Sequence, residues 1–221
     1  MTVRVKICGV TDKTQVKMIV DAGADAIGVV VNVPDSPRNI DFKQAIDIFR
    51  FVPPFLSKVL VTVPKSVDEI IEIYELIKPD VIQINGLENA RLLREIRDNV
   101  PCKLIVTVSF EINNPNNNIE LIKKNVNKTI LYGDAIMLDS KIGHTYGGTG
   151  HKIDWDIAKK IIDQINDKHF ILAGGLKPEN IQKAIQDVNP YAVDVSSGVE
   201  KSPGIKNPVL VKSFIKLSKE I

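Results

Sequence analysis

Short runs of β-branched and aliphatic residues alternate along this chain with longer stretches whose apolar positions recur at helical spacing. Eight such runs stand out: Val3–Val10, Ala26–Val31, Lys58–Val63, Val81–Asn85, Lys103–Ser109, Ala135–Ser140, Phe170–Gly175 and Ala192–Ser197. Between them, Ser66–Lys78 sets Val67, Ile70, Ile71, Tyr74 and Ile77 at helical spacing behind Ser66, and Glu69 completes the pattern of a capping box. Leu87–Arg97, Asp154–Ile165 and Pro178–Val188 read as helices in the same way, with Pro178 suited to a first turn. Pro208–Leu217 is the expected closing helix. The Asn-rich Glu111–Asn118 predicts a loop leading into a helix over Ile119–Val126.

Strands that are apolar on both faces, each followed by a helix, imply a parallel sheet covered on both sides. Eight of them in 221 residues fit a single (β/α)8 TIM barrel of the phosphate-binding type over 1–221 better than an open doubly wound sheet, which needs fewer strands. Barrels carry their chemistry at the C-terminal ends of strands and in the loops beyond. That rule selects Cys8-Gly9, Asn32–Arg38, Gln83–Gly86, Asp139, Gly147–Gly150, Gly174-Gly175 and Asp194–Gly198.

Composition narrows the class of ligand. The 29 basic and 27 acidic residues nearly cancel and are spread along the chain, which argues against nucleic acid or an anionic membrane as partner and for a small metabolite. No apolar run approaches membrane-spanning length, and the first residues alternate charge with β-branched side chains, so a soluble, cytoplasmic protein is expected. The two cysteines, Cys8 and Cys102, lack the spacing of a zinc site or disulfide framework, and reduced thiols are expected. His144, His151 and His169 fall in loops or before strands, and no metal is expected.

Within that mouth, Gly174-Gly175 and Gly198 follow the seventh and eighth runs, where glycine lets backbone N–H groups close on an anion, so a phosphate is expected between the two loops. A cysteine in an apolar strand is usually inert core, but Cys8 at the mouth is placed to meet substrate, with a thiol whose pKa nearby helix N-termini or a bound cation can lower. Cys102 falls at the opposite face and receives no role. Asp139 ends an apolar run; it either caps a turn or, facing Cys8, supplies the other half of an acid–base pair. Arg38, after Pro37, is either a solvated loop cation or a fork for a carboxylate.

Val5–Gly9, Ser36–Arg38, Ile82–Gly86 with Glu88, Leu138-Asp139, Gly147–Gly150 with Asp154-Trp155, Ala173–Leu176 with Asn180, and Asp194–Glu200 with Pro203-Gly204 together resemble the phosphoribosylanthranilate isomerase family, collinearly from near the N-terminus to about Lys206. The resemblance implies a barrel that rearranges N-(5-phosphoribosyl)anthranilate to the corresponding 1-deoxyribulose phosphate without a cofactor. It implies Cys8 as general base, Asp139 as general acid and Arg38 on the anthranilate carboxylate. It also implies Gly174, Gly175, Ser196, Ser197 and Gly198 on the phosphate, and Asp194 as a further acid of the site. One position departs from the family: Asn85 stands where a histidine is usual, and it either hydrogen-bonds substrate without titrating or caps the turn before Gly86. Indole-glycerol-phosphate synthase and ribulose-phosphate epimerase chemistries are disfavoured by the lack of a suitable lysine or of metal ligands. A non-catalytic binding barrel is disfavoured by the presence of both Cys8 and Asp139. No sequence signal bears on oligomeric state.

Overall fold

The computed structural model describes residues 2–86, 89–111, 119–142, 145–146, 155–163 and 169–220. All eight apolar runs are strands of one sheet: β1 (Arg4–Ile7), β2 (Ala26–Val31), β3 (Ser57–Thr62), β4 (Val81–Ile84), β5 (Lys103–Glu111), β6 (Ala135–Ile142), β7 (His169–Leu172) and β8 (Ala192–Val195). Each pairs in parallel with its neighbour in the chain, and β1 also pairs with β8, which closes the sheet into a (β/α)8 barrel. The helices of the described residues are α1 (Thr14–Asp21), α2 (Phe42–Arg50), α3 (Val67–Ile77), α4 (Ala90–Asn99), α5 (Ile119–Thr129), α6 (Trp155–Ile162), α7 (Ile181–Val188) and α8 (Pro208–Lys219).

Local chemistry explains where these elements begin. Ser66 caps α3 by accepting from the Glu69 N–H at 3.2 Å, but the Glu69 carboxylate bonds the Lys65 N–H at 2.8 Å instead of that of Ser66, so the expected capping box is only half made. The complete box is in α2, where Asp41 accepts from the Gln44 N–H at 2.7 Å and Gln44 accepts from the Asp41 N–H at 3.1 Å. Pro178 does not open α7: the Lys177 carbonyl accepts from the N–H groups of Asn180 and Ile181, so Pro178 stands in a turn and the helix starts at Ile181. The Asn180 side chain holds that turn, donating to the Gly175 carbonyl and accepting from the Lys177 N–H, both at 2.9 Å. Glu111 extends β5, and residues 112–118 of the expected loop, Leu87 and Glu88 at the start of the expected Leu87–Arg97 helix, and Asp154, Gln164 and Ile165 of the expected Asp154–Ile165 helix lie outside the described residues.

Strand alternation divides the buried residues into two cores. Side chains such as Val5, Ile7, Ile27, Val29, Ile82, Ile84, Ile136 and Leu138 point outward and meet the helices. Their alternates fill the barrel, where Val59, Val61, Ile105, Met137 and Ile171 supply bulk beside the small Ala135, Ala173 and Ala192. The same alternation sends Lys6, Gln83, Asp139 and Asp194 inward, so the upper barrel is buried and polar. No helix of the described residues is long and apolar enough to cross a membrane.

Candidate active site

Cys8 follows the last residue of β1 and is anchored there, its N–H donating to the Val195 carbonyl at 2.8 Å. Gly9 beside it holds φ at +72°, and a Cβ there would stand 2.4 Å from Arg38 Cδ and 2.8 Å from Ser196 Oγ. A glycine is thus required for the loops after β2 and β8 to close over the end of β1. The result is one cavity at the C-terminal mouth whose wall includes Cys8, Arg38, Asn85, Asp139, Asp194 and Ser196. Strand ends far apart in sequence bring these expected residues together; Asp139, for instance, enters from β6 in register with Ser109 of β5.

Gly174, Gly175, Ser197 and Gly198 form the adjoining pair of loops. Gly174 and Gly175 hold φ of +81° and +64°, and Ser197–Val199 is a single 3-10 turn. The loops touch, since a Cβ on Gly198 would lie 1.9 Å from the Leu176 carbonyl oxygen.

A buried hydrogen-bonded chain lies under the cavity. Lys6, paired in register with Asp194, donates to Asp194 Oδ1 at 2.8 Å and to Gln83 Oε1 at 2.9 Å. Gln83 Nε2 donates to Asn85 Oδ1 at 3.0 Å, and Thr107 Oγ1 donates to that same oxygen at 2.6 Å. With its oxygen doubly engaged, Asn85 has its amide nitrogen to offer to the cavity. Burial would by itself lower the pKa of Lys6, but the Asp194 carboxylate and the Cys8 sulfur outweigh it and hold the ammonium above the ordinary lysine range. Burial pushes the Cys8 thiol up, and Asp194 adds to that; the charge of Lys6, and more weakly of Lys206, pulls the other way without reversing it.

Above the cavity sits a second ionic cluster. Arg38 grips Glu200 with both arms, Nε to Oε1 at 2.8 Å and Nη2 to Oε2 at 2.6 Å. Lys206 donates to the same Oε1 at 2.7 Å and reaches the Ser196 carbonyl at 3.3 Å. Burial would raise the Glu200 carboxyl, yet the Arg38 hydrogen bonds and the Lys206 charge hold it below the usual carboxylate range. Lys206 itself is held below the ordinary lysine value by burial, which Glu200 only partly offsets. The strand-end rule selects Gln83 within Gln83–Gly86 without a role, and it misses Lys6, Glu200 and Lys206, although Lys6 carries a usable signal: it lies two residues before Cys8 and so on the same strand face.

Gly147–Gly150, Glu88, Asp154, His144 and His151 lie outside the described residues. Among the described residues no group of three or more His, Cys, Asp or Glu is placed to hold a metal ion. Cys102 is half-buried at the start of β5, on the opposite side of the barrel.

A closed parallel barrel with a thiol, carboxylates and paired cations converging at the C-terminal mouth defines a barrel enzyme equipped for proton transfer on a small polar substrate. Comparison with known proteins makes this specific. Residues 5–217 match the family model of N-(5'-phosphoribosyl)anthranilate (PRA) isomerase, and the chain belongs to that family. It is 37% identical to the N-(5'-phosphoribosyl)anthranilate isomerase of Haloferax volcanii over 217 residues, which cover 98% of this chain and 93% of that one. The crystal structure of phosphoribosyl anthranilate isomerase from Thermotoga maritima superposes with a TM-score of 0.82 at 33% identity, covering 99% of this chain and 100% of that one. A phosphoribosyl anthranilate isomerase solved with reduced 1-(o-carboxyphenylamino)-1-deoxyribulose 5-phosphate matches at 32% identity and a TM-score of 0.79, with 99% and 100% covered. The chain is thus an isomerase of tryptophan biosynthesis, on the barrel that the strand pattern implies.

Proposed function

We propose that this chain, as one catalytic domain over 1–221, rearranges N-(5'-phosphoribosyl)anthranilate to 1-(2-carboxyphenylamino)-1-deoxyribulose 5-phosphate, with Cys8 as general base and Asp139 as general acid. The observation that carries the reading is that both side chains, from opposite parts of the sequence, stand on the wall of one cavity at the catalytic mouth of the barrel. The carboxyl of Asp139 delivers a proton to the furanose oxygen as the C1–O bond opens, and the nitrogen lone pair forms the iminium. The Cys8 thiolate then removes the C2 proton, whose electrons flow into the iminium. The resulting enolamine tautomerises to the ketone. The iminium is the electron sink, so the chemistry calls for neither metal nor organic cofactor.

Binding follows from the same geometry. The ligand bound by the related isomerase has a phosphate at one end and a carboxylate at the other. The touching loops of Gly174-Gly175 and Ser196–Gly198 are assigned to the phosphate, with the nearby charge of Lys206 favouring an anion there. Arg38 is assigned to the anthranilate carboxylate: Glu200 engages its Nε and Nη2, and Nη1 is the arm left to reach substrate. Asn85 offers its amide to the sugar, and Asp194 acts as a further polar contact on the cavity wall. Anchors at both ends hold C2 against Cys8, so positioning supplies part of the rate. Free thiols at Cys8 and Cys102 suit a reducing, cytoplasmic setting.

The test is turnover of freshly generated phosphoribosylanthranilate, followed by loss of its fluorescence. Cys8→Ser and Asp139→Asn should each lose about 100- to 10,000-fold in kcat while keeping the parent circular dichroism spectrum. The double variant should lose far less than the product of the two factors, because both groups serve one reaction. Near-normal kcat in Cys8→Ser would remove the base assignment.

A further inference from the structure

We propose that Lys6 is a positioning residue for this reaction, its buried ammonium serving as the counter-cation of the Cys8 thiolate. The inference deepens the base role proposed for Cys8 and rests on it. Lys6 on β1 and Cys8, two residues on and just past its end, both point into the barrel, and the facing position of β2 is a glycine. A Cβ on Gly28 would stand 2.9 Å from Cys8 Sγ and 3.0 Å from Lys6 Cε, so the two side chains lean together into the space that glycine leaves. Lys6 is 4% exposed. Two of its three donors go to Asp194 and Gln83, which leaves the third for the Cys8 sulfur packed beside it over Gly28.

The charges around the thiol make Lys6 the cation that matters. Asp194 from β8 shares the cavity wall with Cys8 and opposes a negative sulfur, whereas Asp139 from β6, on the same wall, carries the proton that the reaction needs. Arg38, from the loop after β2, and Lys206, beyond β8, are both bound to Glu200, which neutralises much of their effect. Lys6 is therefore the main group that works against Asp194 and the burial of Cys8. A purely structural reading of the Lys6–Asp194 pair is weak, because a buried ion pair gains little over apolar residues of the same shape. Placed beside the sulfur that takes the C2 proton, the same pair has a use.

Alkylation of Cys8 by iodoacetamide as a function of pH, in full-length protein carrying Cys102→Ser so that one thiol reports, measures the thiolate directly. Lys6→Met should move the alkylation midpoint up by about 1–3 pH units, and Lys6→Arg should return it most of the way. At neutral pH kcat should fall about tenfold or more with KM little changed, as the thiolate fraction shrinks. If Lys6→Met does not fold, Lys6→Met/Asp194→Asn, which strands no charge, takes its place; its midpoint should still rise, because Lys6 outweighs Asp194 at the thiol. A midpoint equal to the parent's in the folded variant would overturn the proposal. Full activity in Cys8→Ser would instead overturn the base role of Cys8, while the alkylation midpoint still reports on Lys6, so the two failures are separable.

Discussion

Replacing Glu200 by Gln takes away one carboxylate and strands two cations. The side chains of Arg38 and Glu200 are 10% and 5% exposed, and that of Lys206 is 0% exposed, so water cannot replace the lost charge. Removing one partner from a buried ion pair costs about 3–5 kcal/mol, and for a chain of this size each kcal/mol lowers Tm by about 2–4 °C, so Glu200→Gln should melt roughly 6–20 °C below the parent. The lower part of that range is favoured, since the Gln carbonyl still accepts one hydrogen bond and Lys206, already held low by burial, can shed its proton. The pH dependence fixes the cause. Glu200 is depressed in the folded state, so its contribution is fully present above its ordinary value of 4.5 and is lost as pH falls through the lower folded value. Melts followed by circular dichroism should therefore differ by a constant amount from neutrality down to about pH 5, with the gap narrowing below about pH 4. A Glu200→Gln protein that melts with the parent at neutral pH would refute the reasoning. So would a gap that is unchanged in acid.

Arg38→Ala should raise KM about tenfold or more with a much smaller change in kcat, because a carboxylate clamp remote from the bond changes serves ground and transition states alike; steady-state kinetics decide, and a kcat collapse at unchanged KM would place Arg38 on the reacting centre. Gly198→Ala must push apart two loops whose atoms would otherwise stand 1.9 Å from the new methyl, so it should cost about 1–3 kcal/mol of stability and weaken a phosphorylated product analogue in titration calorimetry. Unchanged affinity for that analogue would show that the phosphate is held elsewhere.

Cys8 and Asp139 could be found from the sequence because strand alternation and the mouth-of-barrel rule each act locally: the residue that ends an apolar run faces the site. Glu200 could not be found in that way. Its meaning depends on Arg38, 162 residues away, and nothing in either local pattern couples the two. Lys6 was hidden for a different reason, since a lysine in a strand ordinarily marks a solvated face, and only the closure of β1 onto β8 turns it into a buried partner of Asp194. The helix that Ser66 caps starts where the pattern places it, and the differences arise where side chains take other partners. Glu69 bonds Lys65 one residue too early for a full box, and Asn180 holds Pro178 in a turn.

The seam between β1 and β8 has a consequence for how the molecule is made. Lys6 and Asp194 are 188 residues apart, and the Gly204 carbonyl that accepts from Thr11 and Gln15 comes later still. During synthesis the first strand therefore waits with an open edge and an unmatched lysine until nearly the whole chain has emerged. Contacts of such long sequence separation form late, after the loop-closure entropy between them has been overcome. The pocket that Cys8 lines takes its wall from residues as far along the chain as Ser196, so the setting of that thiol is assembled only after β8 has joined β1.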